Sequence, residues 1–147
     1  MKLTIAWIGK TKHPAIQSLS DEYLKRLKQY AEAEGVSLKD EPGLLKLCGR
    51  DGRRTRRFLV LLDSRGKQLS SAELSQFIRS HQDRHPSPFV FAIGPADGFS
   101  ENTRNQADFI LSLGKMTIAH ELARVTLLEQ LYRAFTILKG HPYHLGH

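Results

Sequence analysis

The sequence predicts an α/β fold, a parallel sheet with helices on both faces, built by residues 1–147 as a single domain. Two observations predict it. Short apolar runs recur, and they are continuous rather than alternating, as strands buried on both faces require. Between them lie stretches whose apolar residues repeat every three to four positions, the period of a helix that covers a sheet. A chain of 147 residues can bury a real core without disulfide or metal support. Its single cysteine, Cys48, excludes an intrachain disulfide and fits a reducing, cytoplasmic setting.

Taken in order, Leu3–Ile8 reads as a buried first strand. Its apolar run ends at Gly9-Lys10, too short for a signal-peptide core, and no apolar segment approaches membrane-spanning length. His13–Ala33 reads as a helix with Ile16, Leu19, Tyr23, Leu27 and Tyr30 on one face. Val36–Lys39 reads as a short edge strand. Phe58–Leu62 is a continuous apolar strand. Ser70-Ser71-Ala72-Glu73 has the spacing of a capping box and opens a helix that runs to about Arg84, where Pro86 and Pro88 follow. Phe89–Ile93 is the next buried strand, Ser100 caps a short helix, and Phe109–Leu113 is a further strand. His120–Lys139 reads as a long helix with Leu122, Val125, Leu128, Tyr132, Phe135 and Leu138 on one face, ended by Gly140 and Pro142. Cys48 and Met116 are read as packing residues.

In a parallel sheet, ligands bind beyond the carboxyl ends of the strands. Three loops are therefore singled out: Asp63–Gly66, Gly94–Gly98 and Gly114–Ala119. Gly94-Pro95-Ala96-Asp97-Gly98 follows a buried strand directly, so it reads either as a close backbone approach to a ligand or as a simple strand-to-helix turn. Neither a G-x-G-x-x-G nor a G-x-x-x-x-G-K-[ST] pattern occurs, so ordinary dinucleotide and NTP binding lack their usual marks.

The net charge of +7 favours a polyanionic partner, nucleic acid above all. The excess is concentrated early: residues 1–57 hold 13 of the 22 Lys and Arg. Arg50–Arg57 contains five arginines in eight residues, and reads as a phosphate contact or a solvated linker. Glu121 with Arg124, and Glu129 with Arg133, are spaced to pair on a helix surface or to face a partner. In the tail, His141-Pro142-Tyr143-His144 reads as a frayed end or as groups that bind and exchange protons. The spacing His141-x-x-His144-x-x-His147 lacks accompanying Cys, Asp or Glu ligands, so no metal is expected.

Several blocks together carry a resemblance. They are Ala92–Ser100, Leu111–His120, Ala123-Arg124-Val125, Leu128–Ala134 and His141–His144, with Leu3–Lys10 and Leu61–Lys67 also fitting. In order and spacing they resemble the RlmH family, the ribosomal large-subunit methyltransferases H of the SPOUT superfamily. The chain departs from the family pattern at Pro95, Gly114 and Ala119, all small or turn-compatible.

The resemblance implies a C-terminal trefoil knot, a homodimer, and S-adenosyl-L-methionine as methyl donor. It implies methylation of N3 of a pseudouridine in 23S rRNA within the assembled ribosome. By matched position the donor-binding residues are Leu62, Gly94, Leu113, Gly114, Lys115, Met116, Thr117 and Ile118. The expected catalytic residues are His144 or Tyr143 to accept or relay the proton, Arg133 to stabilise the imide anion, and Glu129 to orient Arg133. Arg124 is expected to contact RNA or the partner chain, and Arg53, Arg54, Arg56 and Arg57 of the basic loop to contact RNA. Two rival readings are a non-catalytic RNA-binding protein of the same fold, for which Pro95 and Gly114 speak, and a flavodoxin-like small-molecule enzyme.

Overall fold

Apolar runs with no polar face have to sit in the middle of a layered structure, and they do. A computed structural model describes residues 1–84 and 86–145, the side chains of His144 and Leu145 excepted. Five parallel strands form one sheet: β1 (Lys2–Ile8), β2 (Glu32–Leu38), β3 (Phe58–Gln68), β4 (Phe89–Ile93) and β5 (Phe109–Ser112). Their spatial order is β2-β1-β4-β3-β5, so β4 lies between β1 and β3. Helices α1 (Pro14–Leu27), α3 (Ser71–Arg84) and α5 (His120–Lys139) pack on one face. There Leu27, Leu74, Ile78, Leu127, Leu128 and Leu131 meet Ile5, Val60, Phe89 and Phe91 of the strands. On the other face, Leu44 of α2 (Glu41–Leu47), Cys48, and Phe99 just before α4 (Glu101–Asn105) meet Ala6, Leu59, Leu61, Val90 and Ala92. The expected α/β class with both faces covered is thus the observed one.

Local chemistry explains the element ends. The Ser70 hydroxyl accepts from the Glu73 N–H at 3.0 Å while the Glu73 carboxylate accepts from the Ser70 N–H at 2.8 Å, a reciprocal capping box. Ser100 caps α4 by accepting from the Thr103 N–H. Gly140, with φ of 70°, ends α5 in the left-handed conformation that glycine adopts at least cost. Buried against α2, the Cys48 thiol is pushed up to about 11, so it packs as a neutral group.

Five expectations need correction. Helix α1 stops at Leu27, because Gln29, Tyr30 and Ala31 fold back onto its last turn and β2 starts at Glu32. Edge strand β2 is correspondingly longer than Val36–Lys39, since its full length pairs with Lys2–Ile8. Helix α2 was not expected; Asp40 caps it through the Gly43 N–H at 2.9 Å. Strand β3 runs through Asp63–Gly66 instead of ending at Leu62: Leu62 and Lys67 both register on Leu111, so the four residues between them bulge out of the pairing. The apolar residues Leu19 and Leu122, placed on buried helix faces by their spacing, are exposed, Leu122 to 55%. The buried face of α5 is instead Ala123, Leu127, Leu128, Leu131, Ala134 and Phe135.

Candidate active site

Three adjacent strands, β4, β3 and β5, end at the same edge of the sheet, and the segments leaving them enclose a cavity of about 370 Å³. One wall is Leu62 and the Asp63–Arg65 bulge. A second is Ile93 and the Gly94–Gly98 turn, closed by a Gly98 N–H to Pro95 carbonyl bond of 2.9 Å. The third is Leu113, Gly114, Met116, Thr117 and Ile118, running into His120 and Ala123 of α5. Ser112 holds the start of that wall, accepting from the Gly114 N–H at 3.1 Å and donating to the Gly114 carbonyl at 2.8 Å. Gly114 has φ of 142°, which a side chain would strain. The cavity size and its mix of apolar walls, backbone groups and a few charges suit an organic ligand.

Of the eight residues expected to hold the donor, seven line this cavity; Lys115 is exposed and does not. Met116 is 82% exposed on its rim, which corrects the reading of it as a packing residue. The cavity also takes in Asp63, Ser64, Arg65, Asp97 and His120, which were not named as site residues although two of the singled-out loops contain most of them. Asp63 is held ionised by Arg65, whose Nε and Nη2 donate to its two oxygens at 2.9 and 2.8 Å.

The expected catalytic set gathers elsewhere, on the second half of α5 and the 3₁₀ turn Pro142–Leu145. Glu129 accepts from Arg133 Nε at 2.9 Å and from its Nη2, and from the Tyr143 hydroxyl at 3.4 Å. The Arg133 guanidinium lies 5.1 Å over the Tyr143 ring, and that ring packs edge-on against Tyr132 at 4.8 Å. Tyr23 and Tyr30 extend this aromatic group, and the Tyr30 hydroxyl pairs with His141 Nδ1. Burial first, then hydrogen bonding to Tyr23 and the negative charge of Glu129, hold the Tyr143 phenol above its ordinary pKa. A phenol so placed stays protonated at neutral pH and donates to Glu129. The His144 side chain lies outside the described residues, as does His147. Glu129 follows His120 by nine residues, about 14 Å of helix, so one chain keeps this cluster apart from the cavity at the start of α5.

The expected RNA contacts divide. Arg124 is 1% exposed: it stacks over Trp7 at 4.0 Å and donates to the Thr11 hydroxyl at 2.6 Å, so in this chain it is a core residue and not a surface cation. Arg50, Cys48, Arg57 and Asp108 form a clasp that fixes the basic loop, with Arg50 Nη2 to Asp108 at 2.8 Å. Arg56 also binds Asp108, at 2.7 Å. Arg53 and Arg54 are exposed, and Arg57 is half-buried. This loop enters β3 at its amino end, opposite the end that carries the cavity. Among the described residues, no group of three or more His, Cys, Asp or Glu is arranged to hold a metal ion, and no helix is long and apolar enough to cross a membrane.

Residues 1–144 match the family described as "Predicted SPOUT methyltransferase". The ribosomal RNA large subunit methyltransferase H of Koribacter versatilis is 56% identical over 147 residues, all of both chains. The protein of that name from Geotalea daltonii is 40% identical over 157 residues, 98% of this chain and 99% of the relative. Among solved structures, the SpoU methyltransferase AviRb from Streptomyces viridochromogenes, in complex with AdoMet, shares the fold with a TM-score of 0.54 at 13% identity. That match covers 95% of this chain and 59% of AviRb. A probable methylase family protein from Haemophilus influenzae gives 0.57 at 13% identity, over 96% and 69% of the two chains. Full-length similarity at these identities places the chain in the SPOUT methyltransferases, as a member of the ribosomal RNA large subunit methyltransferase H family.

Proposed function

We propose that this protein is a cytoplasmic, S-adenosylmethionine-dependent methyltransferase that methylates N3 of a pseudouridine in 23S rRNA of the assembled ribosome. In this reading it works as a homodimer of single-domain, trefoil-knotted chains and needs no metal. The observation that carries it is the cavity: seven residues matched to the family's donor site line one space, in a chain 56% identical over its length to a protein named as a large-subunit rRNA methyltransferase.

The donor supplies an electrophilic methyl on a sulfonium. What the chain must supply is a held acceptor and relief of the charge that forms on it. Leu62, Ile93, Leu113 and Ile118 give apolar walls for a base such as adenine, and the Gly94–Gly98 and Leu113–Ile118 segments give backbone polar groups. Arg133, fixed by two donations to Glu129, presents a positive charge to a deprotonated imide. Tyr143 donates to Glu129 and steadies that pair. His144 accepts the imide proton. The separation of Glu129 and Arg133 from the cavity supports the homodimer: the cluster of one chain would then serve the cavity of the other. The exposed apolar residues Leu19, Met116, Ile118 and Leu122 are further support for a protein partner surface.

Mass mapping of 23S rRNA from cells with and without the protein tests the reading directly. A single methyl should disappear from a pseudouridine in the deletion and return with the wild-type gene. An unchanged map refutes it. With purified ribosomes, His144→Ala is expected to slow single-turnover methylation about 100-fold or more, and raising the pH should recover part of the rate because the imide then ionises unaided. An unchanged rate would remove His144 from the role of base.

A further inference from the structure

The donor cavity contains one permanent cation among the described residues, Arg65. It stands on the bulge of β3, and its Nη2 reaches within 3.9 Å of where a Cβ on Gly98 would lie, so the side chain spans from the first wall towards the second. Its orientation is fixed from behind. Asp63, whose side chain is only 4% exposed, takes Arg65 Nε and Nη2 on its two oxygens and the Arg65 backbone N–H at 2.9 Å. Such a two-point grip uses one edge of the planar guanidinium and holds it at a set angle. The other edge is left over: Nη1 makes no hydrogen bond to the described residues, and the side chain is 58% exposed. The arrangement is a pre-positioned pair of N–H donors bearing full positive charge at the mouth of the cavity.

The proposed donor has one anionic group, the α-carboxylate of its methionine part. Its other charges, a sulfonium and an ammonium, are positive, opposite in sign to the Asp97 carboxylate on the second wall. We propose that Arg65, held by Asp63, binds the α-carboxylate of the methyl donor through Nη1, and so selects for ligands that keep the amino-acid end. The proposal rests on the donor reading above. Asp63 is the positioning residue; Arg65 touches the ligand.

Calorimetric titration with three nucleosides tests it: S-adenosylmethionine, S-adenosylhomocysteine, and 5′-methylthioadenosine, which lacks the amino-acid end. The wild-type protein should bind all three. Arg65→Ala should weaken the first two about 10- to 100-fold, as loss of a charge-assisted hydrogen bond does, and leave 5′-methylthioadenosine within about 2-fold. The unchanged third ligand also certifies an intact cavity. Arg65→Lys should recover only part of the loss, since a point charge lacks the fork. Equal weakening of all three ligands, or no weakening of any, overturns the assignment of Arg65. A wild-type protein that binds none of the three overturns the donor reading itself, and the proposal with it.

Discussion

Arg133→Ala is expected to lower the single-turnover methylation rate about 100- to 1,000-fold, the range for removing one group that stabilises a developing negative charge. Affinity for S-adenosylmethionine should stay within about 2-fold, because Arg133 sits more than three helical turns beyond His120, outside the residues lining the cavity. Arg133 donates twice to Glu129, and its guanidinium rests on Tyr143. Removing it leaves Glu129 with Gln130 and Tyr143 as donors, so the cost to folding should be modest, about 1 kcal/mol. Arg133→Lys should restore little, because lysine cannot keep the planar contact with the Tyr143 ring and the fork on Glu129 together. A parallel fall in rate and in donor affinity would contradict this assignment, and would make Arg133 part of the donor site or of the fold.

Gly66→Ala is expected to destabilise the chain by about 3 kcal/mol, the upper part of the range for overpacking a close contact. A Cβ built on Gly66 lies 2.5 Å from the Ile110 carbonyl oxygen and 2.6 Å from its carbon. Both belong to the backbone of β5, which cannot give way as a flexible side chain can. The same contact seats the bulge that carries Asp63 and Arg65 against β5. For a chain of this length the loss corresponds to a fall in melting temperature of about 9 °C. Donor affinity should fall with it, since the first wall of the cavity is displaced. An unchanged melting temperature would show that β3 and β5 do not approach so closely.

Much of this architecture is legible in the sequence because the governing signals are local. The capping box at Ser70 and Glu73, the cap at Ser100 and the Gly140 stop each act within a few residues, and each marks its element end. Strand β4 is legible because five consecutive apolar residues admit little else between two helix layers. What stays hidden depends on distant partners. Helix α2 is short and carries Gly43 near its start, so Asp40 and Pro42 were its only marks. Tyr30 continues the spacing of α1 but belongs to the turn after it, stacked on Phe135 of α5. Asp63–Gly66 is polar and reads as loop; only pairing with β5 shows it as a bulged strand.

The site divides the same way. The cavity walls were legible because the three loops singled out in the sequence lie at strand ends, where a parallel sheet places ligands. Arg124 was placed at the surface because its three-residue spacing from Glu121 suits a pair on a helix face, and nothing near it in sequence reveals that Trp7 and Thr11 enclose it. The surroundings of Tyr143 stayed hidden because they depend on burial and on Tyr23 and Glu129, which only the folded chain assembles.

The stack of Arg124 on Trp7 has an optical consequence. Trp7 is the single tryptophan of the chain, buried, and its indole N–H has no hydrogen-bond partner among the described residues. Its fluorescence comes from one environment and needs no subtraction. Arg124 is the neighbour of Ala123, which lines the cavity, so the first turns of α5 join the indole to the ligand space. The native emission should be blue-shifted and should move to the red on unfolding. An intensity change on adding a ligand would report filling of the cavity without any label, in the same sample that reports the fold.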